Sequence, residues 1–165
     1  MNIFFLSLNP ILCAAMYCDQ HVGKILIEIA QMLSVGVHLL HTCDFDETRI
    51  YRKTHGNHPM SKWVRSSPEA WFWTVRMGQA LSQEWQKRYN KTHKSSLIVD
   101  YIATLPVFER TDADPSLSSI PLCMPDEYKT VGDPIQSYIN YYKTKSFARW
   151  KRTEPPSWFP LVTSK

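Results

Sequence analysis

Apolar residues recur every three or four positions in two long stretches of the chain, which is the spacing of one face of an α-helix. In the stretch 19–40, apolar side chains cover roughly three-quarters of the helix circumference, so this helix is expected to lie deep in the core. The stretch 68–89 begins with a capping hydroxyl, Ser67, and a first-turn proline, Pro68. We interpret its apolar positions as core contacts and predict that Gly78 allows close helix packing.

Shorter helices are predicted around these two. Asn9 followed by Pro10 is typical of a helix start, and so is Asp133 followed by Pro134. The predicted short helices span 10–17, 61–65, 95–104 and 134–145. Residues 3–7 are apolar and are predicted to form a brief strand or an extended segment packed on the core. The pattern therefore predicts a mostly α, single-domain helical bundle with long surface loops.

Proline marks two segments that are not expected to be helical. Four prolines fall between 105 and 125, and we expect 105–132 to form a long excursion over the surface. Residues 150–165 combine prolines with aromatic side chains and predict an extended aromatic tail. The whole chain, 1–165, is long enough for one domain with a hydrophobic core of its own.

A narrow polar stripe interrupts the apolar surface of the first long helix. His21, Lys24, Glu28 and Gln31 are three or four residues apart and share one face. Ionisable groups crowded beside apolar walls are those whose pKa values are displaced toward catalytic ranges. The alternative is a solvated helix edge on which Lys24 and Glu28 form an ordinary ion pair.

Basic residues are bunched along the chain, although the net charge is only +4. Residues 84–94 carry four cations against one acid, and residues 143–152 carry five against none. This bunching suits phosphates. Aromatic side chains interleave with the second group, which favours backbone phosphates with stacked bases, although a surface helix with lysines lying along it is equally compatible.

The polar loop 51–59 is rich in hydrogen-bond donors and is interpreted as facing a ligand, with a locally hydrogen-bonded turn as the alternative. In an all-helical domain of this size, the stripe, this loop and the 91–94 loop can converge on one cleft. The residues expected to contact nucleic acid are Arg52, Lys53, His55, Asn57, His58, Arg65, Lys91, His93, Lys94, Arg149 and Trp158.

No metal, cofactor or membrane is predicted. The four cysteines lack paired spacing and are interpreted as reduced thiols of an intracellular protein. His38, His41 and Cys43 have suitable atoms for zinc, but no second paired element follows them. The apolar start lacks a basic segment, and no other stretch has about 18 consecutive apolar residues, the length of a membrane span.

Asp19-Gln20-His21 followed by Glu28, seven residues after the histidine, resembles the active-site helix of the phage endonuclease V family. The members of this family are pyrimidine-dimer DNA glycosylases with AP lyase activity. The resemblance extends to the helix end 84–89 and to Pro156-Ser157-Trp158-Phe159 in the tail. The chain is also similar to a group of small phage and large-virus proteins of unassigned function, through 54–59, 63–66 and 91–93.

The first resemblance implies a mechanism and a DNA partner. In that family an amine attacks the sugar carbon that bears the damaged base, a glutamate assists elimination, and an imine links enzyme to DNA. Glu28 matches the glutamate, and His21 matches the neighbouring histidine. The family's nucleophile is the α-amine of a small residue exposed by loss of the initiator methionine. Here Asn2 follows Met1 and the chain before His21 is five residues longer, so Lys24 is the candidate amine.

Three other functions stay open from the residues alone. A non-catalytic nucleic-acid-binding module would use the basic patches without a perturbed carboxylate. An enzyme acting on a nucleotide or phosphorylated ligand would clamp phosphate with the cations of 52–65. A structural interaction protein would use its many Trp and Tyr residues as interface anchors. The residues favour a viral-type DNA-processing protein that acts through His21, Lys24 and Glu28.

Overall fold

The computed structural model describes residues 1–160 and has a mostly α, single-domain fold, which confirms the predicted fold class. Within that range the chain forms six α-helices and no strand. The helices are α1 (Pro10–Met16), α2 (Asp19–Leu40), α3 (Pro59–Val64), α4 (Pro68–Tyr89), α5 (Lys94–Ala103) and α6 (Pro134–Tyr142). Short 3₁₀ turns lie at Glu47–Arg49, Leu117–Ser119 and Asp126–Tyr128.

The capping residues identified in the sequence begin the helices as predicted. The side chain of Asn9 accepts hydrogen bonds from the first turn of α1, and Ser67 and Asp133 do the same for α4 and α6. Each satisfies backbone N–H groups that have no partner inside the helix. These starts were therefore readable from local sequence.

Two helices begin one or two residues earlier than the sequence predicts, because histidine side chains cap them. The Nδ1 atom of His58 accepts the N–H of Met60 at 3.1 Å, so α3 begins at Pro59 instead of residue 61. The Nδ1 atom of His93 accepts the N–H of Ser95 at 3.1 Å, so α5 begins at Lys94. The last helix, α6, ends at Tyr142, three residues before the predicted end.

Helices α2 and α4 pack against each other through glycines. A Cβ atom placed on Gly36 would lie 2.4 Å from Cζ3 of Trp71, and one on Gly23 would lie 2.6 Å from Cζ3 of Trp85. A Cβ atom placed on Gly78 of α4 would lie 3.0 Å from Cγ1 of Val99 and 3.1 Å from Cγ2 of Ile29, which confirms its predicted role in close packing. Large tryptophan rings therefore fill the space that side chains would occupy on α2.

Helix α2 has the length and mean hydropathy (1.4) of a membrane-spanning helix. Most of its apolar window, 67%, is buried within the protein. The core helix of a folded domain meets the same criteria of length and composition.

The N-terminal segment lies in the core without strand pairing, which matches the second of the two predicted alternatives. Ile3, Phe4, Phe5 and Leu6 are all buried. Phe5 stacks on Trp73 with ring centroids 4.6 Å apart. This segment therefore carries the first residues of the chain into the interior.

The proline-rich segment 105–132 runs outside the helices but is anchored by buried side chains, among them Val107, Ile120 and Met124. The tail is described as far as residue 160, and its last five residues lie outside the described range. Trp150 donates from its indole nitrogen to the carbonyl of Met16 at 3.2 Å. Both segments therefore pack on the helical core.

Candidate active site

Glu28 meets the first residues of the chain. Its Oε2 atom accepts the backbone N–H of Asn2 at 2.7 Å and lies 3.9 Å from the amino group of Met1. The side chains of Glu28 and Met1 are only 14% and 6% exposed. A partly buried carboxylate and an N-terminal amine therefore share one small volume.

The N-terminal segment reaches this position by lying over the polar stripe of α2. Phe4 stacks on His21 with ring centroids 4.9 Å apart, and Asn2 contacts Glu28 seven residues later on the helix. Seven helical residues rise about 10.5 Å, or two turns. The chain's own start thus covers the stripe at His21 and Glu28, while Lys24 between them stays exposed.

His21 is buried and held as a neutral imidazole. Burial lowers its pKa from 6.5 to about 4, and the positive charges of Lys24 and Lys145 act in the same direction. Its Nδ1 atom lies 2.8 Å from the hydroxyl of Tyr142. That hydroxyl oxygen also accepts the N–H of Cys18, so we infer that the Tyr142 proton points at Nδ1.

Lys24 does not pair with the carboxylate of Glu28. The Lys24 side chain is exposed, and its amine forms no ion pair with the Glu28 carboxylate within 4.0 Å. The alternative interpretation of the stripe, in which Lys24 and Glu28 form an ordinary ion pair, is therefore wrong in this respect. The amino group of Met1 occupies the position beside Glu28 that the sequence suggested for the lysine.

The pKa of His58, in the 51–59 loop, is shifted by the charges of the amino terminus and Glu28. Burial lowers the pKa of its imidazole, the positive amino terminus and His55 lower it further, and Glu28 acts in the opposite direction. Because Nδ1 caps α3, Nε2 is the nitrogen left for other contacts. The structure thus brings His58 toward the amine and Glu28.

Arg65 braces the loop internally. Its guanidinium donates to the carbonyl of Gly56 at 2.7 Å and to the hydroxyl of Ser61 at 3.2 Å, and partial burial lowers its pKa. Two of its nitrogens are therefore engaged by the protein itself. The remaining expected contacts of this loop are exposed: Arg52, Lys53, His55 and Asn57.

The 91–94 loop lies on another side of α2. His93 packs edge-on against Trp85 with ring centroids 4.8 Å apart, and the Trp85 ring covers Gly23. Gly23 is two residues after His21, about 200° around the helix, so it faces away from the stripe. The exposed Lys91 and Lys94 beside His93 therefore do not join Glu28 in one cleft.

Lys94 instead lines a separate groove of about 710 Å³ between the 47–49 turn and α5. The guanidinium of Arg49 lies 3.8 Å above the centre of the Tyr101 ring on one wall of this groove. Glu28 is not among the lining residues. The groove is thus distinct from the carboxylate–amine pair.

The tail wraps the beginning of α2, near His21. The backbone carbonyl of Arg149 accepts the N–H of Asp19 at 2.9 Å. Trp158 packs against Tyr142, with ring centroids 6.2 Å apart, and Tyr142 in turn contacts His21. The backbone of Arg149 and the side chain of Trp158 therefore lie near the His21 end of the stripe, and the guanidinium of Arg149 donates to the carbonyls of Ser146 and Ala148.

One cation of the basic helix end is not available to a phosphate. The side chain of Arg88 is fully buried and donates to Glu84, to Asp19 and to the carbonyls of Tyr17 and Ala15. A buried guanidinium needs such partners because desolvating its charge is costly. Arg88 therefore joins α4 to the α1–α2 connection.

Within residues 1–160, no group of three or more His, Cys, Asp or Glu side chains is arranged to hold a metal ion. His38 lies 3.1 Å from the carbonyl of Tyr51 through Nε2, and His41 is exposed at the end of α2. The two histidines of the H-x-x-H pair therefore belong to the C-terminal end of α2.

The residues that sequence reasoning missed are those of the N-terminal segment and α6. Asn2, Tyr138 and Tyr142 surround the stripe but lie far from it along the chain. The family resemblance was the signal that could have indicated the N-terminal segment, because members of that family use an α-amine as nucleophile. The five extra residues before His21 made an α-amine nucleophile less expected from the sequence. In the structure these residues let the N-terminal segment run back along α2 to Glu28.

The fold and the site define a mostly α protein in which a partly buried carboxylate meets an amine at the start of the chain. A family model described as pyrimidine dimer DNA glycosylase matches residues 1–97 of the 165, so the chain belongs to this family. The match includes the N-terminal segment, α2 with Glu28, and α4. It confirms the resemblance found in the sequence.

Membership supports a DNA-repair function of the glycosylase type and implies DNA as the substrate. No curated protein and no solved structure matches the chain.

Proposed function

We propose that the protein is a DNA glycosylase with AP lyase activity whose nucleophile is the α-amine at the start of the chain. The observation that carries this proposal is the 2.7 Å hydrogen bond from the backbone nitrogen of Asn2 to Oε2 of Glu28. Removal of Met1 would make that nitrogen a primary amine. With Met1 retained, the terminal amine still lies 3.9 Å from the same oxygen.

An α-amine suits this role better than an exposed lysine. Amines of the α type ordinarily titrate near pH 8 and lysine side chains near about 10.4, so far more of an α-amine is neutral at neutral pH. Only the neutral form can attack carbon. The exposure of Lys24, and its lack of an ion pair with Glu28, also argue against the lysine.

The reaction on an abasic site follows from these groups. The amine adds to C1′ of the open sugar aldehyde, and loss of water leaves an imine. Glu28 removes a proton from C2′, the C3′–O bond breaks, and the phosphate departs with the bond's electron pair. On a damaged base, the same amine displaces the base from C1′. The C1′–O4′ bond then breaks, O4′ takes a proton, and the resulting imine undergoes the same elimination.

The surroundings support the roles of both groups. The pKa of His58 is lowered by burial and by the nearby amino terminus, which favours a neutral imidazole and so avoids a further positive charge beside the attacking amine. His21 is neutral as well and is covered by Phe4, so it supports the N-terminal segment and does not serve as an acid.

Sodium borohydride trapping on a duplex with one abasic site tests the proposal. We expect a covalent adduct, and digestion followed by mass spectrometry should locate it on the α-amine of residue 1 or 2. Glu28→Gln retains the shape of the side chain and should reduce strand cleavage by about 100-fold or more. Lys24→Gln tests the other candidate amine and should still form the adduct at saturating DNA.

Two outcomes would contradict the proposal in different ways. Absence of both adduct and strand cleavage would exclude the lyase reaction. An adduct on Lys24 would keep the reaction but reject the α-amine as its nucleophile.

A further inference from the structure

The side chain of Asn2 is held by a segment more than one hundred residues away. Its Nδ2 atom donates to the backbone carbonyl of Cys123 at 3.1 Å. Its Oδ1 atom accepts the backbone N–H of Ile3 at 2.9 Å, which fixes the amide relative to its own backbone. The position of the backbone nitrogen at Glu28 therefore depends on where the 121–123 segment lies.

Tyr138 fixes that segment. Its hydroxyl donates to the carbonyl of Pro121 at 2.7 Å and accepts the N–H of Cys123 at 3.3 Å. The same oxygen lies 3.4 Å from Oδ1 of Asn2. Tyr138 is fully buried, and burial raises its pKa, so the hydroxyl keeps its proton and remains a donor. One side chain thus joins both ends of the segment to Asn2.

Helix α6 carries Tyr138, and hydrogen bonds fix the start of this helix. Asp133 caps the helix, and the hydroxyl of Ser137 accepts the N–H of Thr130 at 2.8 Å and donates to the carbonyl of Asp133 at 2.7 Å. Tyr142 lies one turn after Tyr138 on the same face and contacts His21 at 2.8 Å. Tyr142 therefore meets the stripe at His21, and Tyr138 meets Asn2, whose backbone nitrogen bonds to Glu28.

We propose that Tyr138 is a positioning residue that holds the N-terminal amine against Glu28 by fixing the 121–123 segment on Asn2. This inference rests on the proposed function. It assigns part of the active site to residues outside the matched range 1–97, namely the proline-rich segment and α6. The proline-rich segment is then a component of the site and more than a surface connection.

The test compares Tyr138→Phe with Tyr101→Phe. The first removes the hydroxyl but keeps the ring that packs on Phe5 at 5.5 Å. The second removes a hydroxyl that accepts the N–H of Asp46 at 2.8 Å and lies outside the site, so it is the matched control. Circular dichroism and urea unfolding verify that both variants fold.

Two rates are measured on each variant. The first is acylation of the α-amine by acetic anhydride without DNA, which reports how firmly the amine is held. We expect it to rise about tenfold in Tyr138→Phe, as expected for loss of one hydrogen-bonded restraint on a local opening. The second is borohydride-trapped adduct formation on abasic duplex under single-turnover conditions, which should fall roughly 10- to 100-fold. The Kd for the duplex should stay within about twofold, because the cations are unchanged.

A double-variant cycle separates positioning from general structural support. In an Asn2→Ala background the Asn2 contacts are already lost, so Tyr138→Phe should then change either rate by less than about twofold. Mass spectrometry must first show the same N-terminal residue in the proteins being compared. Additive effects would assign Tyr138 a merely structural role and overturn the proposal.

The remaining outcomes are distinguishable. An unchanged acylation rate in Tyr138→Phe would overturn the positioning role even if the wild-type protein forms an adduct. A wild-type protein that forms no adduct would overturn the proposed function. Faster acylation in Tyr138→Phe would still support the restraint on the amine in that case.

Discussion

At the scale of single residues, the environment of His21 determines what its imidazole can do. The ring lies between Phe4 and the edge of Phe147, and it contacts the Tyr142 hydroxyl. With a pKa of about 4, it is neutral at neutral pH. Lys24 and Lys145 add to this effect by disfavouring a further positive charge. Its contribution to the site is therefore packing and hydrogen bonding.

This shift predicts a pH dependence of stability. The unfolded chain takes up the His21 proton near pH 6.5 and the folded chain only near pH 4, so between these values the unfolded state binds more protons. Unfolding free energy therefore falls as the pH is lowered through this window, by about 3 kcal/mol from this group. Urea unfolding of wild type and His21→Gln between pH 7 and 4 measures it.

The two stability profiles should converge toward low pH, because glutamine cannot titrate. Parallel profiles would show that His21 does not carry this dependence. His41→Gln, at an exposed position, is the matched control and should follow the wild-type profile.

At the scale of elements, the α2–α4 packing depends on positions where a side chain is missing. Gly36 accepts the Trp71 ring, which is fully buried, and Gly23 accepts the Trp85 ring. Glycine costs about 1 kcal/mol relative to alanine inside a helix. That cost is offset by burial of the large rings against bare backbone, which allows both helices to approach closely.

Gly36→Ala should therefore destabilise the protein although alanine is the better helix former. The new methyl group would lie 2.4 Å from a ring that has no free space, and overpacking costs typically about 1–3 kcal/mol. After the gain of about 1 kcal/mol in helix propensity, we expect a net loss of up to about 2 kcal/mol in urea unfolding.

Two further variants make this test specific. Gly56→Ala meets only ordinary contacts, at 3.4 Å and beyond, and should leave stability nearly unchanged. Trp71→Phe removes the ring atoms that clash, so adding Gly36→Ala to it should cost less than it does in the wild type. An equal cost in both backgrounds would reject the clash as the cause.

At the scale of the whole molecule, the cations divide between internal and external roles. Arg88 is buried and Arg65 binds its own loop, whereas Lys24 and Lys151 are exposed around the beginning of α2. Of these exposed cations, Lys24 lies on the same face of α2 as His21 and Glu28, which the N-terminal segment contacts. We therefore expect DNA phosphates to be held there.

Lys24→Gln tests this expected surface. Each phosphate contact releases about one counterion, so the slope of log Kd against log salt should decrease by about 1 in magnitude. Binding to an abasic duplex at several salt concentrations measures this slope. Lys87→Gln removes an exposed lysine that is paired with Glu84, and it should leave the slope unchanged. Equal slopes for all three proteins would exclude Lys24 from the DNA contact.

The local features of the chain were determined by its sequence alone. The helix spacing, the caps at Asn9, Ser67 and Asp133, and the stripe on α2 depend on residues three or four positions apart. The family resemblance rested on the same helix, through His21 and Glu28. Such features are readable because the interactions that produce them are contained within one or two turns.

The partner of Glu28 was decided only by the tertiary structure. The sequence offered Lys24, one turn away, but the amine beside the carboxylate comes from the N-terminal segment, 26 residues from Glu28 at Asn2. Asn2 is in turn held from Cys123, 121 residues away, and approached by Tyr138, 136 residues away. Contacts at such separations follow from how the segments pack in the core, which spacing along one helix does not specify.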